Sequence, residues 1–366
     1  MATRSAVLTK RARTGRPAAG SPDRPAAWTR WWRAPLWLVA LVTGAKSFAD
    51  NPILGSPALN RAGLHVWRLK SAHALTRWRR AHLARLVPAS LREQFDRDGF
   101  VVVPDLLPPA EFRQLQKALL ETEFDSRAQQ QGDTITRRVP VGPELLERFP
   151  ALARLLDDRR WRGLMAYVAS ARTRPLYYIQ TIAGGVAEGP PDPQVQLHSD
   201  TFHPSLKAWL FLTDVEDDDR PLTFVAGSHR LSPERVEWER KKSIAVMESD
   251  DRLSQRGSFR IDPDELGGLG LPSPTRFSVA ANTLVVADTC GFHARASSDH
   301  PTVRVELWAY CRRNPFLPWT AGGLLSLVFI RERRAEWLLE LFDWLDARGL
   351  RKQHWMRVGL KRPIDA

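Results

Sequence analysis

The segment VQLHSDTFHPSLKAWLFLTDV, Val195–Val215, sets polar groups directly against a strand. His198, Asp200 and His203 fall within six residues, and Leu206–Val215 reads as a strand bound for an apolar interior. One residue separates His198 from Asp200. In extended chain that spacing puts both side chains on the same face, where an imidazole nitrogen and a carboxylate oxygen suit one borderline divalent cation. The pair alone says little, because His-x-Asp is common in loops.

Its company makes it informative. Further along, VVADTCGFHARASSDHPTVRVELWAY holds a strand, Thr283–Asp288, that leads to His293. A second strand, Val303–Tyr310, opens with Arg304. If His293 joins the pair, the result is a two-His, one-carboxylate facial triad of the kind used by non-heme Fe(II) oxygenases, with coordination positions left open for reactants. An Arg at a strand opening is placed to give a carboxylate two parallel hydrogen bonds.

The elements around these residues are those of a globular body with a basic front piece. The 366 residues are 43% hydrophobic and 26% charged, with a net charge of +13. Residues 1–90 hold 16 Lys and Arg against only Asp23 and Asp50, while the rest of the chain carries 38 basic and 39 acidic residues. Two cysteines, Cys290 and Cys311, exclude a disulfide scaffold and a cysteine-based zinc ribbon, and they suit a reducing cytoplasm. Cys290 reads as a small buried hydrophobe.

Residues 1–27 read as a disordered basic tail. Residues 28–89 form a basic, Trp-rich segment, with Trp28, Trp31, Trp32 and Trp37 beside arginines. The apolar run Ala34–Ala45 is too short to span a bilayer, and Trp with Arg favours the headgroup zone. Ser47-Phe48-Ala49 could pass for a signal cleavage site, but Lys46 in the would-be cleavage region argues against export. Residues 61–86 read as a helix with Leu64, Trp67, Ala74, Leu75, Trp78 and Ala81 on one face, flanked by Arg68, Lys70, Arg77, Arg79 and Arg80. Such a helix either lies on an anionic membrane surface or packs on its own domain with its arginines solvated. Nucleic acid is not expected, since the body supplies no basic patch or reader motif. The expected location is cytoplasmic, peripheral at the inner face of a membrane.

From Ser90 the texture changes to a short helix, a turn at Asp98-Gly99, a strand over Phe100–Val103 and a helix begun by Pro108-Pro109. Residues 175–313 carry short apolar runs separated by Gly, Pro and Asp, the pattern of a β-sandwich or barrel. Residues 315–366 read as a C-terminal helical extension, with RERRAEWLLELFDWLDARG a helix stopped at Gly349.

Together these motifs resemble the phytanoyl-CoA dioxygenase family of Fe(II)- and 2-oxoglutarate-dependent oxygenases. The resemblance extends over Ser90–Asn314. It rests on FDRDGFVVVPDLLPPAEF, LHSD, LKAWLFLTDV, RPLTFVAGSHR and His293 with Arg304 eleven residues later. It implies a mainly β fold with flanking α, a double-stranded β-helix (jelly-roll) barrel with outer helices, and a dioxygenase domain over 90–314. It also implies Fe(II) on His198, Asp200 and His293, with 2-oxoglutarate on Arg304. Gln180 and Trp209 fall on strands that could border the cosubstrate. His203 is a further pocket candidate, and His229 a structural one. Arg220, Ala226 and Asn282 depart from the family's usual glycine, proline and glycine-aspartate turns.

The implied function is hydroxylation of a small-molecule or lipid-like substrate by molecular oxygen, with an anionic membrane surface as a partner. Hydroxylation rather than halogenation follows from the carboxylate at Asp200, since related halogenases have a small residue there. Two other readings stay open, a non-catalytic jelly-roll scaffold or sensor at the membrane and a hydrolase using another divalent metal. The second would leave Arg304 unexplained.

Overall fold

The strand Thr302–Cys311 shows how the sequence builds the body. Its residues alternate, with Val305, Leu307 and Ala309 joining an apolar cluster under the outer helices while Arg304, Glu306 and Trp308 face the opposite way. The structure is a computed structural model and describes residues 32–321 and 328–365. The basic tail 1–27, Trp28 and Trp31 lie outside these residues, as does most of the apolar run Ala321–Ile330.

The strands are β1 Phe100–Val103, β2 Phe124–Gln131, β3 Thr134–Pro140, β4 Leu176–Gly184, β5 Leu206–Phe211 and β6 Leu222–Phe224. They continue with β7 Thr275–Arg276, β8 Leu284–Asp288, β9 His293–Arg295, β10 Thr302–Cys311 and β11 Met356–Lys361. Eight form one antiparallel sheet in the order β1-β8-β5-β10-β4-β3-β2-β11, and three form a second in the order β7-β6-β9. His198 extends the smaller sheet through bridges to His293 and to Arg260. Val215 pairs with Val279, so the chain after β5 crosses from one sheet to the other. The fold is mainly β with flanking helices, two sheets facing one another as a double-stranded β-helix. The C-terminal extension is helical over Val328–Ala347 and then returns as β11, the edge strand beside β2.

Two residues that replace the family's turn residues sit where glycine is favoured. Arg220 has φ 54° and Asn282 φ 72°, in the left-handed region that costs a side chain with a Cβ. Each is held by its own side chain. Arg220 pairs with Asp133 at 2.8 Å. Asn282 brackets Leu107, accepting from its N–H at 3.0 Å and donating to its carbonyl at 2.8 Å.

The front piece forms α1 Ala34–Ala40, α2 Pro57–Arg61 and α3 Leu64–Leu83, and α3 docks on the body. The face that docks is not the one richest in tryptophan. Arg68, Leu69, Ala72, His73, Thr76, Arg79 and Leu83 are buried, whereas Trp67 and Trp78 are 51% and 49% exposed. Arg68 and Arg79, expected to be solvated, are each 1% exposed. Arg68 donates to the carbonyls of Ala40, Leu41, Thr43 and Ala45, and Arg79 to those of Ser170, Pro315 and Leu317. Arginine suits this work because its planar fork serves several carbonyls at once. Phe48 stacks on Phe259 inside a second core, so the residues suspected of forming a cleavage site are part of the packed body.

Candidate metal centre

His198 and His293 come together because their backbones pair, each N–H donating to the other's carbonyl at 3.0 Å. Asp200 is fixed by its own N–H, which donates to the Thr289 carbonyl at 2.8 Å. The three side chains offer ligand atoms that all lie within 4.8 Å of one another. Asp200 Oδ1 is 4.0 Å from His198 Nε2, and Oδ2 is 3.7 Å from His293 Nε2.

Both imidazoles turn Nδ1 to a carbonyl two residues upstream, His198 to Gln196 at 2.8 Å and His293 to Gly291 at 3.0 Å. A carbonyl only accepts, so Nδ1 carries the proton and Nε2 presents its lone pair. Nε2 of His293 is buried with no hydrogen-bond partner. That is costly for a polar atom unless a cation takes its lone pair, so the donor set fits a metal.

The electrostatics favour the ligating protonation states. Burial pushes His198 well below the usual imidazole range and His293 down to about 4, with the neighbouring histidine adding to the shift on His198. Burial alone would raise the Asp200 carboxyl. Lys207, His293 and His198 outweigh it and hold the group well below the usual carboxylate range. Lys207 Nζ lies 2.7 Å from Asp200 Oδ2.

The triad opens into a cavity of about 370 Å³ whose walls include Arg304, Gln180 and Trp209. All four sequence-derived positions of the iron and cosubstrate scheme, with the two strand residues, therefore face one space. Arg304 is 4% exposed. It donates through Nη1 to the Arg220 carbonyl at 2.8 Å, and its Nε is 3.0 Å from Glu306 Oε2. Gln180 joins this network by donating to Glu306 at 2.6 Å and accepting from Arg138 at 2.6 Å. The other two histidines stand elsewhere. His203 is fully buried against the Pro204 carbonyl and does not border the cavity. His229 sits under Gly99 beside Phe95. Cys290 is buried, and burial pushes its thiol up.

Sequence reasoning missed Lys207, Arg138 and Trp355 on the cavity wall, and Lys46, which donates to the Asp200 carbonyl at 2.5 Å. A lysine inside the apolar run LKAWLFL was a usable signal for Lys207. Nothing local marks Lys46, which stands 154 residues from Asp200.

Residues 95–257 match the phytanoyl-CoA dioxygenase family. This segment is a phytanoyl-CoA dioxygenase family domain. The family is one of iron- and 2-oxoglutarate-dependent oxygenases, enzymes that take Fe(II), 2-oxoglutarate and molecular oxygen with a small-molecule substrate. The match includes His198 and Asp200 and ends before His293 and Arg304, which the structure brings to the same cavity. No curated protein matches the chain.

Among solved structures the chain is similar to the epimerase SnoN from nogalamycin biosynthesis, with 21% identity, 63% of this chain and 82% of that one covered, and a TM-score of 0.39. It is also similar to HygX from Streptomyces hygroscopicus, solved with nickel and 2-oxoglutarate, with 18% identity, coverage of 61% and 85%, and a TM-score of 0.37. EctD from S. alaskensis with bound Fe gives 20% identity, coverage of 62% and 76%, and a TM-score of 0.33.

Proposed function

We propose that the chain is a hydroxylase of this family, with Fe(II) on His198, Asp200 and His293 and 2-oxoglutarate on Arg304, acting on a lipid-like substrate at a membrane surface. The observation that carries the iron assignment is the convergence of three ligand atoms, one of them buried without a partner, on a cavity that also holds Arg304. A scaffold would leave those buried polar atoms without a purpose. Once bound, the metal and cosubstrate supply the oxidising power that converts C–H to C–OH.

The chain's own residues do the rest. Carbonyls of Gln196 and Gly291 lock the two imidazoles with Nε2 forward. Lys207 steadies Asp200 and keeps it ionised. Gln180 and Trp209, 3% and 5% exposed, border the cosubstrate and keep water from it.

The membrane half of the reading is supported by the outward faces of α1 and α3. Leu36, Leu38, Val39 and Val42 are exposed on and just after α1, and Trp67 and Trp78 on α3. Exposed Lys70 and Arg77 lie on the same side of α3. Trp67 stacks on Phe316, and Asn314 donates to the Val42 carbonyl, so the 314–316 loop ties the chain after α1 to α3. No helix among the described residues is long and apolar enough to cross a membrane.

The assignment is tested on protein purified without oxygen. It should bind stoichiometric Fe(II) and, with 2-oxoglutarate, show the weak visible charge-transfer band of the chelate. His198→Ala and Asp200→Ala should each abolish the band. Iron retained in both variants would sink the assignment.

A further inference from the structure

Four cations from four parts of the chain gather around Lys46 and Asp200. Lys46 comes from the loop after α1, Lys207 from β5, Arg260 from the loop that bridges to His198, and Arg312 from the end of β10. Lys46 Nζ donates to the Asp200 carbonyl at 2.5 Å and Lys207 Nζ sits 2.7 Å from Asp200 Oδ2. Arg312 donates to the Gly44 carbonyl at 3.3 Å, two residues from Lys46. Arg260 is tied to Ser258 Oγ at 2.9 Å, and that hydroxyl donates to the Ser199 carbonyl at 2.8 Å.

The charges around Lys46 do not balance. Among the described residues the main charges acting on it are Lys207, Arg260 and Arg312 on one side and Asp200 on the other. Asp200 is the carboxylate that the proposed iron takes, which leaves the cations facing a metal of their own sign. An ammonium has three donors, and among the described residues only one of Lys46's is engaged, by a carbonyl. A half-buried cation held this way is expensive unless an anion completes its shell.

We infer that Lys46 and Lys207, backed by Arg312 and Arg260, form an anion subsite beside the metal that takes the phosphate or carboxylate of the substrate. This rests on the hydroxylase reading above and narrows it: the oxidised carbon lies close to an anionic group. Lys207 and Arg304 line the same cavity, but Lys207 pairs with Tyr310, six residues along β10 from Arg304, which sets the subsite apart from the place assigned to 2-oxoglutarate. Lys46 lies outside the family-matched residues. It follows the loop that Arg68 grips at the end of α1, so the outward apolar flank and the subsite share one short piece of chain. An anionic lipid headgroup arriving at that flank would pass exposed Lys70 and Arg77 before it reached half-buried Lys46.

The test uses the full chain loaded anaerobically with Fe(II) and 2-oxoglutarate. Binding of inorganic phosphate is measured by calorimetry, and 2-oxoglutarate binding by the chelate band. Lys46→Met should weaken phosphate binding about tenfold, the loss of one charge-assisted contact. It should leave the 2-oxoglutarate titration unchanged, and Lys46→Arg should restore phosphate. Arg312→Met, at an exposed position, should give a smaller loss and serves if Lys46→Met does not fold. Glycerol 3-phosphate and phosphatidate vesicles, set against phosphatidylcholine vesicles, then separate a free phosphate ester from a lipid headgroup as the source, and binding of either that depends on Lys46 supports the subsite. Phosphate binding that is absent, or equal in wild type and both methionine variants, overturns it. Failure of the chelate band in the wild type would instead overturn the hydroxylase reading.

Discussion

The Arg220 carbonyl accepts a hydrogen bond from Arg304 Nη1 at 2.8 Å, while Glu306 Oε2 lies 3.0 Å from Arg304 Nε. The guanidinium is thus pinned on two edges by a strained turn and a buried acid. Removing it alone would strand Glu306, which is 0% exposed. Arg304→Leu should therefore destabilise the fold by about 3–5 kcal/mol, and adding Glu306→Gln should recover part of that. In the folded double variant the apparent KM for 2-oxoglutarate should rise by about 10- to 100-fold, from a lost contact of about 1.5–3 kcal/mol. An unchanged KM there would place the cosubstrate elsewhere.

Arg80 of α3 reaches Asp288 at the end of β8, with Nη2 to Oδ2 at 2.8 Å and Asp288 0% exposed. The same carboxylate accepts from the backbone N–H groups of Ser205 and Cys290, next to the loop that delivers His293. Arg80→Met should cost about 3–5 kcal/mol in urea unfolding by leaving a buried carboxylate unpaired. Asp288→Asn in the same chain should offset much of it. Two independent losses that simply add would show that the pair is not coupled.

Acid should loosen the fold well before the carboxylates titrate. Burial holds His73 down to about 4 and His203 and His229 down to about 3, against an ordinary value near 6.5. Since the unfolded chain binds more protons than the folded one in that interval, stability rises with pH there and is lost as pH falls from about 6.5 toward 4 and below. None of the three is a proposed ligand, so the metal-free protein should show the effect. The check is the midpoint of thermal unfolding followed across pH, and a midpoint flat from pH 7 to 5 would contradict it.

The outward tryptophans allow a membrane test that keeps the domain intact. Trp67→Gln with Trp78→Gln should abolish most co-sedimentation with anionic vesicles while leaving Fe(II) binding intact. Wild-type binding should be partly released by high salt, because the basic contribution of about 1 kcal/mol per Lys or Arg is screened. Equal sedimentation of variant and wild type would exclude this flank as the docking surface.

How legible all this was in the sequence depended on how local the determinants were. Strand alternation around β5 and β10, and His198, Asp200 and His293 in their motifs, are short-range patterns, and the structure brings these residues to one cavity. The helix Leu64–Leu83 was legible as a helix but not in its orientation. Hydropathy assigns tryptophan inward and arginine outward, whereas carbonyls of the 40–45 loop and of 315–317 supply partners that make Arg68 and Arg79 the buried side. The turns at Arg220 and Asn282 were legible, but what holds them was not, for a related reason. A left-handed residue other than glycine is recognisable only once the group that holds its side chain is known. Lys46 needed the whole tertiary fold.

The seating of α3 has a consequence for the order of synthesis. Arg79 finds its carbonyls at Pro315 and Leu317, and Arg80 its carboxylate at Asp288. At about 5–20 residues per second, the ribosome makes the helix roughly 10–50 s before those partners exist. Throughout that wait the docking face stays in water. A face lined only with leucine would invite nascent chains to cluster, but here Arg68, His73, Thr76 and Arg79 are interspersed with Leu69, Ala72 and Leu83 and keep the face partly hydrated until the barrel behind it closes.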